Sequence, residues 1–471
     1  MQQPKLFADI VFRGGDIVTL DPKNPYVKNG AVAVSGNRIA WIGKEADLHA
    51  HVAGGRQLDI SGHVLIPGLV DSHTHLFQSL GKTLGDGMSL LPWLAKFMMP
   101  LSANITRDEA VAAVRMATLS SLLGGATTLV DNHYAPVDEG TILAVAEAME
   151  EVGVRGVVAR GIYGPMVEGG RRMNCDPRLF RYTAQEELDI TRACIAARPT
   201  GSRVEVWPMP LNVVYLDPEL MIACHDLAME TGTSWQAHCS ESMFEVEIFE
   251  SIHGKRPARW LHDAGILNDR ITLAHAIWFD EEEIALLGAA GATAIHNPVC
   301  NQYLASGILP LGPLMRAGVN VTLGTDGTAC TGMNMFEAMK AAHILQRLRE
   351  LQPDATSSEM ILALATRNGG RMLRRNLGVL AEGALADLTV VDLRGIHHQP
   401  ALRPVCCLTL STMGSDVRHV MVEGEIVVEN GRSTRVDQDK VVADCLQASR
   451  SLIRRAGIGG LVIDWIESAS A

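Results

Sequence analysis

Eight short apolar runs, each followed by a longer stretch of helical periodicity, fill the middle of this 471-residue chain. They lie at 64–75, 125–131, 154–160, 203–209, 232–238, 271–275, 292–296 and 319–325. Runs of this length read as buried strands. The segments between them, such as 107–123, 142–152, 184–197, 218–231, 280–290 and 310–317, carry the spacing of helices. Strand–helix alternation sustained this long is the pattern of an α/β fold, a parallel sheet closed into a (β/α)8 TIM-like barrel. An open doubly wound sheet is the alternative. Its dinucleotide-binding form is excluded, because no G-x-G-x-x-G follows the first run.

Both ends have a different texture. Apolar runs at 8–12, 16–20, 31–34 and 39–42 are broken by turn residues, and Gly36-Asn37 between two of them is a hairpin signal. The same pattern returns at 387–393 and in the pair 419–422 and 425–428 around Glu423-Gly424. Two β-rich ends flanking a closed middle predict a small β-sandwich domain built from both termini. The expected division is 1–63 for the first part of the sandwich, 64–378 for the barrel, and 379–471 for the rest of the sandwich with a helical tail.

A net charge of -12 argues against a nucleic-acid or anionic-membrane partner. The nine cysteines form no C-x-x-C pair, which suggests reduced thiols and no disulfide frame. No apolar stretch reaches the roughly 18 residues of a membrane span. The first 20 residues carry no signal-peptide pattern. The expected location is cytoplasmic.

Chemistry-bearing residues recur where the strands end. The first run closes on His73-Thr74-His75, the second on Asp131-Asn132-His133-Tyr134 and the third at Arg160. Later runs end at His238, His275, His296-Asn297 and Thr325-Asp326. In a barrel, catalysis is assembled at this C-terminal rim. Side chains two apart on a strand share a face, so His73 and His75 can hold one ion together. With His238 and Asp326 they make a three-imidazole, one-carboxylate set suited to zinc or ferrous iron. Asp326 would stand beside a metal-activated water and take its proton. Glu241, in His-Cys-Ser-Glu, is placed to protonate a substrate nitrogen, or alternatively to face a helix N-terminus.

Pro-Gly-Leu-Val-Asp-Ser-His-Thr-His (67–75), His-Cys-Ser-Glu (238–241), Leu-Ala-His (273–275), His-Asn-Pro-Val-Cys-Asn (296–301), Leu-Ala-Ser-Gly-Ile (304–308) and Gly-Thr-Asp-Gly (324–327) together resemble the amidohydrolase superfamily. The closest likeness is to its mononuclear-metal branch of S-adenosylhomocysteine/methylthioadenosine deaminases, guanine and 8-oxoguanine deaminases and s-triazine hydrolases. That resemblance covers nearly the whole chain. It implies His73, His75, His238 and Asp326 as metal ligands, one Zn2+ (or Fe2+) per chain, Glu241 as the acid and Asp326 as the proton acceptor. His275 matches the histidine that holds the attacking water or leaving group. The fourth run, 204–210, carries no lysine to bridge a second metal.

The implied reaction is hydrolytic deamination of an amino-substituted N-heterocycle of purine, pyrimidine, pterin or s-triazine type, with release of ammonia. Expulsion of chloride or an alkylamine shares the same tetrahedral carbon and is one alternative; deamination of S-adenosylhomocysteine or methylthioadenosine is the other. Gln78, Phe77, Trp93, His133, Tyr134, Arg160 and Asn301 are the candidate substrate contacts, and Trp278 ends another run. With no phosphate cradle, a free base or small heterocycle is expected and a nucleotide is not. A non-catalytic scaffold is the reading from another class, but a scaffold has no use for this complete set of ligands and proton carriers. Family habit implies a homo-oligomer.

Overall fold

The first run, 64–75, divides at Gly68 into two strands that serve different sheets, His63–Pro67 and Leu69–His75. A Cβ at Gly68 would stand 2.1 Å from the Thr127 hydroxyl, so only glycine lets the chain pass this close to the neighbouring strand. The computed structural model describes residues 5–462.

Leu69–His75 is β1 of the barrel. It is followed by β2 (Ala126–His133), β3 (Arg155–Ile162), β4 (Val204–Pro210) and β5 (Trp235–Cys239). The ring continues with β6 (Ile271–His275), β7 (Thr293–His296) and β8 (Asn320–Leu323). Parallel pairing runs without interruption from β1 to β4 and from β5 to β8. Two short contacts at the C-terminal rim join these halves. Asn212 bridges to His238 beyond the end of β4, and Asp326–Gly327 pairs with Thr74 and His75. Both seams therefore close at residues of the expected metal set. Trp207 and Trp235 are among the largest fully buried side chains of the strands.

The strand His63–Pro67 pairs with Leu388–Asp392 near the C-terminus. Through that pairing, strands from both ends of the chain build one nine-stranded sheet. Phe12, Ile17, Val34, Leu65, Val390 and Met421 form its own apolar core. This is the β-sandwich layer expected from the two ends. Its joint with the barrel is polar and buried. Arg155 at the start of β3 donates to Asp387 at 2.7 Å and pairs with Glu423 at 2.9 Å. Helix Gln438–Arg455 lies back against the barrel, where the Ser449 hydroxyl donates to the Leu80 carbonyl at 2.6 Å. Among the described residues, no helix is long and apolar enough to cross a membrane.

Candidate active site

His73, His75, His238 and Asp326 converge at the C-terminal rim, each at a strand end and each buried. Asp326 Oδ1 lies 3.4 Å from His73 Nε2 and 3.3 Å from His75 Nε2. The Nε2 atoms of His75 and His238 are 3.3 Å apart. Donors about 2.1 Å from one tetrahedral zinc stand roughly 3.4 Å from each other. The spacing therefore matches the edges of a coordination shell.

The opposite edges of the rings explain why these nitrogens face one another. His73 Nδ1 is 2.7 Å from Gln236 Oε1, and the Gln236 amide nitrogen donates to Ser72 O and Thr272 Oγ1, which fixes the amide's orientation. His75 Nδ1 lies 2.7 Å from the Asn132 carbonyl, and His238 Nδ1 lies 2.6 Å from the Leu211 carbonyl. Each partner can only accept, so each Nδ1 carries the proton and each Nε2 presents a lone pair. Burial, reinforced by the neighbouring imidazoles, pushes His238 well below the usual histidine range, so that ring is neutral. Three lone pairs and a carboxylate packed together repel unless a cation lies between them. His73 Nε2 and Asp326 Oδ2 are also buried without a hydrogen-bond partner. The donor set fits a divalent zinc-like ion.

Around this cluster the two carboxyls are driven apart. Burial would raise Asp326, but positive charge among the imidazoles of His275, His73 and His75 that it faces outweighs burial and holds the group well below the carboxylate range. Glu241 is raised well above it, first by burial and then by the charges of Glu245 and Asp326. Asp326 is therefore ionised and Glu241 protonated at neutral pH, the division of roles that acid–base chemistry requires. Glu241 Oε1 accepts from the Ser306 hydroxyl at 3.2 Å, and Oε2 lies 3.4 Å from His275 Nε2. Burial drops His275 to about 3, so the ring is neutral, and Asn301 contacts its Nδ1 at 3.0 Å. Ser240, His275, Ala276 and Asp326 all adopt left-handed backbone, with φ of 55°, 76°, 51° and 65°. Such strain gathers where structure is held for function.

A pocket opens over the cluster, lined by His75, Gln78, Trp93, Tyr134, Tyr163, Tyr215, Glu241 and Asp326 together with Leu90, Leu94, Met98 and Met99. Three of the candidate substrate contacts, Gln78, Trp93 and Tyr134, are on its wall. Gln78 Nε2 donates to the Tyr134 hydroxyl at 2.6 Å, while Gln78 Oε1 and Trp93 Nε1 are buried without partners.

Four candidates are not on that wall. Phe77 packs behind it, edge-on to Tyr134 at 4.7 Å and to His133 at 5.4 Å between ring centroids. His133 turns away to Asp131, 3.1 Å off. Arg160 points outward between strand and helix, where it pairs with Glu187 at 2.7 Å. Asn301 reaches the site only through His275. Trp278 is spent on the Ser306 carbonyl, to which it donates at 2.9 Å.

The sequence reading also missed Gln236, Ser306, Asn212 and Glu245. Gln236 stands two residues before His238 on the same strand, so the period-2 rule puts it on the ligand face. Replacing it with leucine keeps the volume and removes the acceptor that orients His73. Zinc affinity of Gln236→Leu is expected to fall by about 10–100-fold, measured by competition with a chelating dye. Unchanged affinity would show that His73 is oriented without it.

The amidohydrolase family model matches residues 64–427, and the chain belongs to the amidohydrolase family. It is a metal-dependent aminohydrolase. It is 32% identical over 455 residues to a 5-methylthioadenosine/S-adenosylhomocysteine deaminase of Syntrophobacter fumaroxidans, covering 94% of this chain and 98% of that protein. An adenosine deaminase of Xanthomonas campestris solved with bound zinc superposes with a TM-score of 0.86 at 26% identity, over 95% of this chain and 99% of that one. Atrazine chlorohydrolase of Arthrobacter aurescens, also solved with zinc, gives 0.85 at 26% identity, over 93% and 100%.

Proposed function

We propose that the chain deaminates an adenine nucleoside whose 5′ position carries an apolar group, of the 5′-methylthioadenosine type, using one catalytic zinc. The observation that carries the reading is the convergence of His73, His75, His238 and Asp326 at the mouth of one pocket whose wall also holds Glu241. His73, His75, His238 and Asp326 hold the ion. When bound, a divalent ion of this kind lowers the pKa of a coordinated water to about 7 and makes it a nucleophile at neutral pH. Asp326 takes the water proton and later passes it to the departing amine. Glu241 gives its proton to the ring nitrogen next to the attacked carbon, which keeps negative charge from accumulating there, and takes back the hydroxyl proton as the C–N bond breaks and the ring carbonyl forms. The neutral His275 aligns the oxygen through Nε2, and Asn301 fixes the ring from behind.

The lining of the pocket supports a nucleoside with an apolar substituent over the free base expected from the sequence. Leu90, Leu94, Met98 and Met99 give the cavity apolar surface beside its polar residues. The methylthioadenosine-deaminase relative supports the same choice. A homo-oligomer, supported by family habit, belongs to the same proposal and is read by light scattering.

The test is a substrate panel scored by ammonia release and ultraviolet change, containing 5′-methylthioadenosine, S-adenosylhomocysteine, adenosine, adenine and chloro- and alkylamino-s-triazines. We expect kcat/KM for 5′-methylthioadenosine at least about tenfold above adenosine, because burying one thiomethyl group is worth roughly 1.5 kcal/mol. Ammonia from none of the amino-heterocycles rejects deamination. The likeness to atrazine chlorohydrolase makes triazine hydrolysis the second reading, and chloride release without ammonia selects it.

A further inference from the structure

Among the described residues, one grouping of three metal-capable side chains lies outside the catalytic centre: His397, His398 and Asp416. The histidines occupy the turn Ile396–His398. Asp416 closes a second turn, Gly414–Asp416, that leads into the sandwich strand Val417–Val422. Helix Pro404–Leu410 runs between the two turns. Nε2 of His397 lies 3.0 Å and Nε2 of His398 lies 3.1 Å from the same Asp416 Oδ2.

Crowding at Asp416 sets this group apart from an ordinary ion pair. Its Oδ2 is the meeting point of both imidazole Nε2 atoms and also accepts the Met413 backbone N–H at 2.8 Å. Three nitrogens thus bear on one carboxylate oxygen, which offers two lone pairs. On its other edge the His398 ring meets the Ser411 hydroxyl, Nδ1 to Oγ at 2.9 Å, which holds the ring with Nε2 turned toward Asp416. The ligand atoms of the three side chains lie within 4.8 Å of one another, close enough to share one ion. The arrangement resembles that of His75, whose Nδ1 meets the Asn132 carbonyl while Nε2 faces Asp326.

We propose that His397, His398 and Asp416 form a second divalent-metal site, suited to a borderline ion such as zinc. Two imidazole nitrogens and one carboxylate oxygen supply three positions. The fourth is reached from solvent past His397, whose side chain is 33% exposed. Bound there, the ion ties the two turns together at either end of the helix Pro404–Leu410. Occupancy therefore acts on stability and leaves the catalytic residues alone.

The experiment uses the full chain, purified from zinc-supplemented culture and desalted without chelator, with zinc counted by mass spectrometry. His397→Ala removes the exposed ligand with the least disturbance, and Asp416→Asn removes the charge at constant volume. The expected result is one zinc fewer per chain in each variant than in the wild type. His397→Ala should keep its turnover and show a smaller rise in Tm when zinc is restored to stripped protein. Asp326→Asn loses the catalytic equivalent and keeps this one, so failure of the proposed chemistry and failure of the second site are read separately. A zinc content equal to wild type in either His397→Ala or Asp416→Asn overturns the proposal, and the cluster is then a hydrogen-bonded His–Asp–His group.

Discussion

Glu241→Gln lowers kcat by about a thousandfold while the zinc content stays that of the wild type. The substitution is close to isosteric. The amide oxygen still accepts from Ser306, as Oε1 does at 3.2 Å in the native site. What disappears is a transferable proton. Burial comes first in holding the native carboxyl protonated, and the charges of Glu245 and Asp326 add to it. The raised value also fixes the pH behaviour. The active form is the acid, present below the raised pKa, so wild-type kcat/KM falls as pH increases through that value. Glutamine has no such titration, and the residual rate of the variant loses that alkaline limb. Steady-state kinetics from neutral to alkaline pH, with zinc counted on the same samples, checks both parts. A variant that keeps more than about a tenth of wild-type turnover would remove Glu241 from proton transfer.

The convergence of His73, His75, His238 and Asp326 was legible because an apolar strand has no packing reason to end in histidine, and several strands here do so. Their order along the chain then reproduced the order of strands around the barrel. The substrate wall was much less legible, for a reason visible at particular positions. Neighbouring residues on a strand point to opposite faces, and sequence alone does not say which face looks inward. On β2, Asn132 reaches inward to Gln236, while Asp131 and His133 pair with each other on the other face. Gln78 and Phe77 are adjacent, yet one lines the pocket and the other supports it. The break at Gly68 escaped notice because the apolar run continues across it. Only the approach of Thr127 on the neighbouring strand requires glycine there. Arg160 looked like a rim cation because its partner Glu187 lies on the helix Ala184–Ala197, beyond the reach of any local pattern.

That misplaced arginine leads to a large expected effect on stability. Arg160 and Glu187 are both fully buried and meet at 2.7 Å. The guanidinium also donates to the Val137 carbonyl at 2.9 Å and the Thr191 hydroxyl at 2.9 Å. Glu187 Oε1 accepts the backbone N–H groups of Tyr163 at 3.0 Å and Gly164 at 3.1 Å. Glu187→Ala thus strands a buried cation and leaves two amides without acceptors. Removing one member of such a pair costs about 3–5 kcal/mol, seen as a lower urea midpoint. The same change reaches the pocket, because Tyr163 lines it and its hydroxyl donates to the Tyr134 carbonyl at 3.1 Å. KM for the nucleoside should rise while zinc content holds. The double variant Arg160→Met/Glu187→Leu removes both charges at similar volume and should recover part of the loss, since two apolar groups in contact avoid the stranded charge. Full wild-type stability in Glu187→Ala would mean that water reaches Arg160 or that another acceptor replaces the carboxylate. A double variant no better than the single would assign the cost to the two backbone amides and not to the charge.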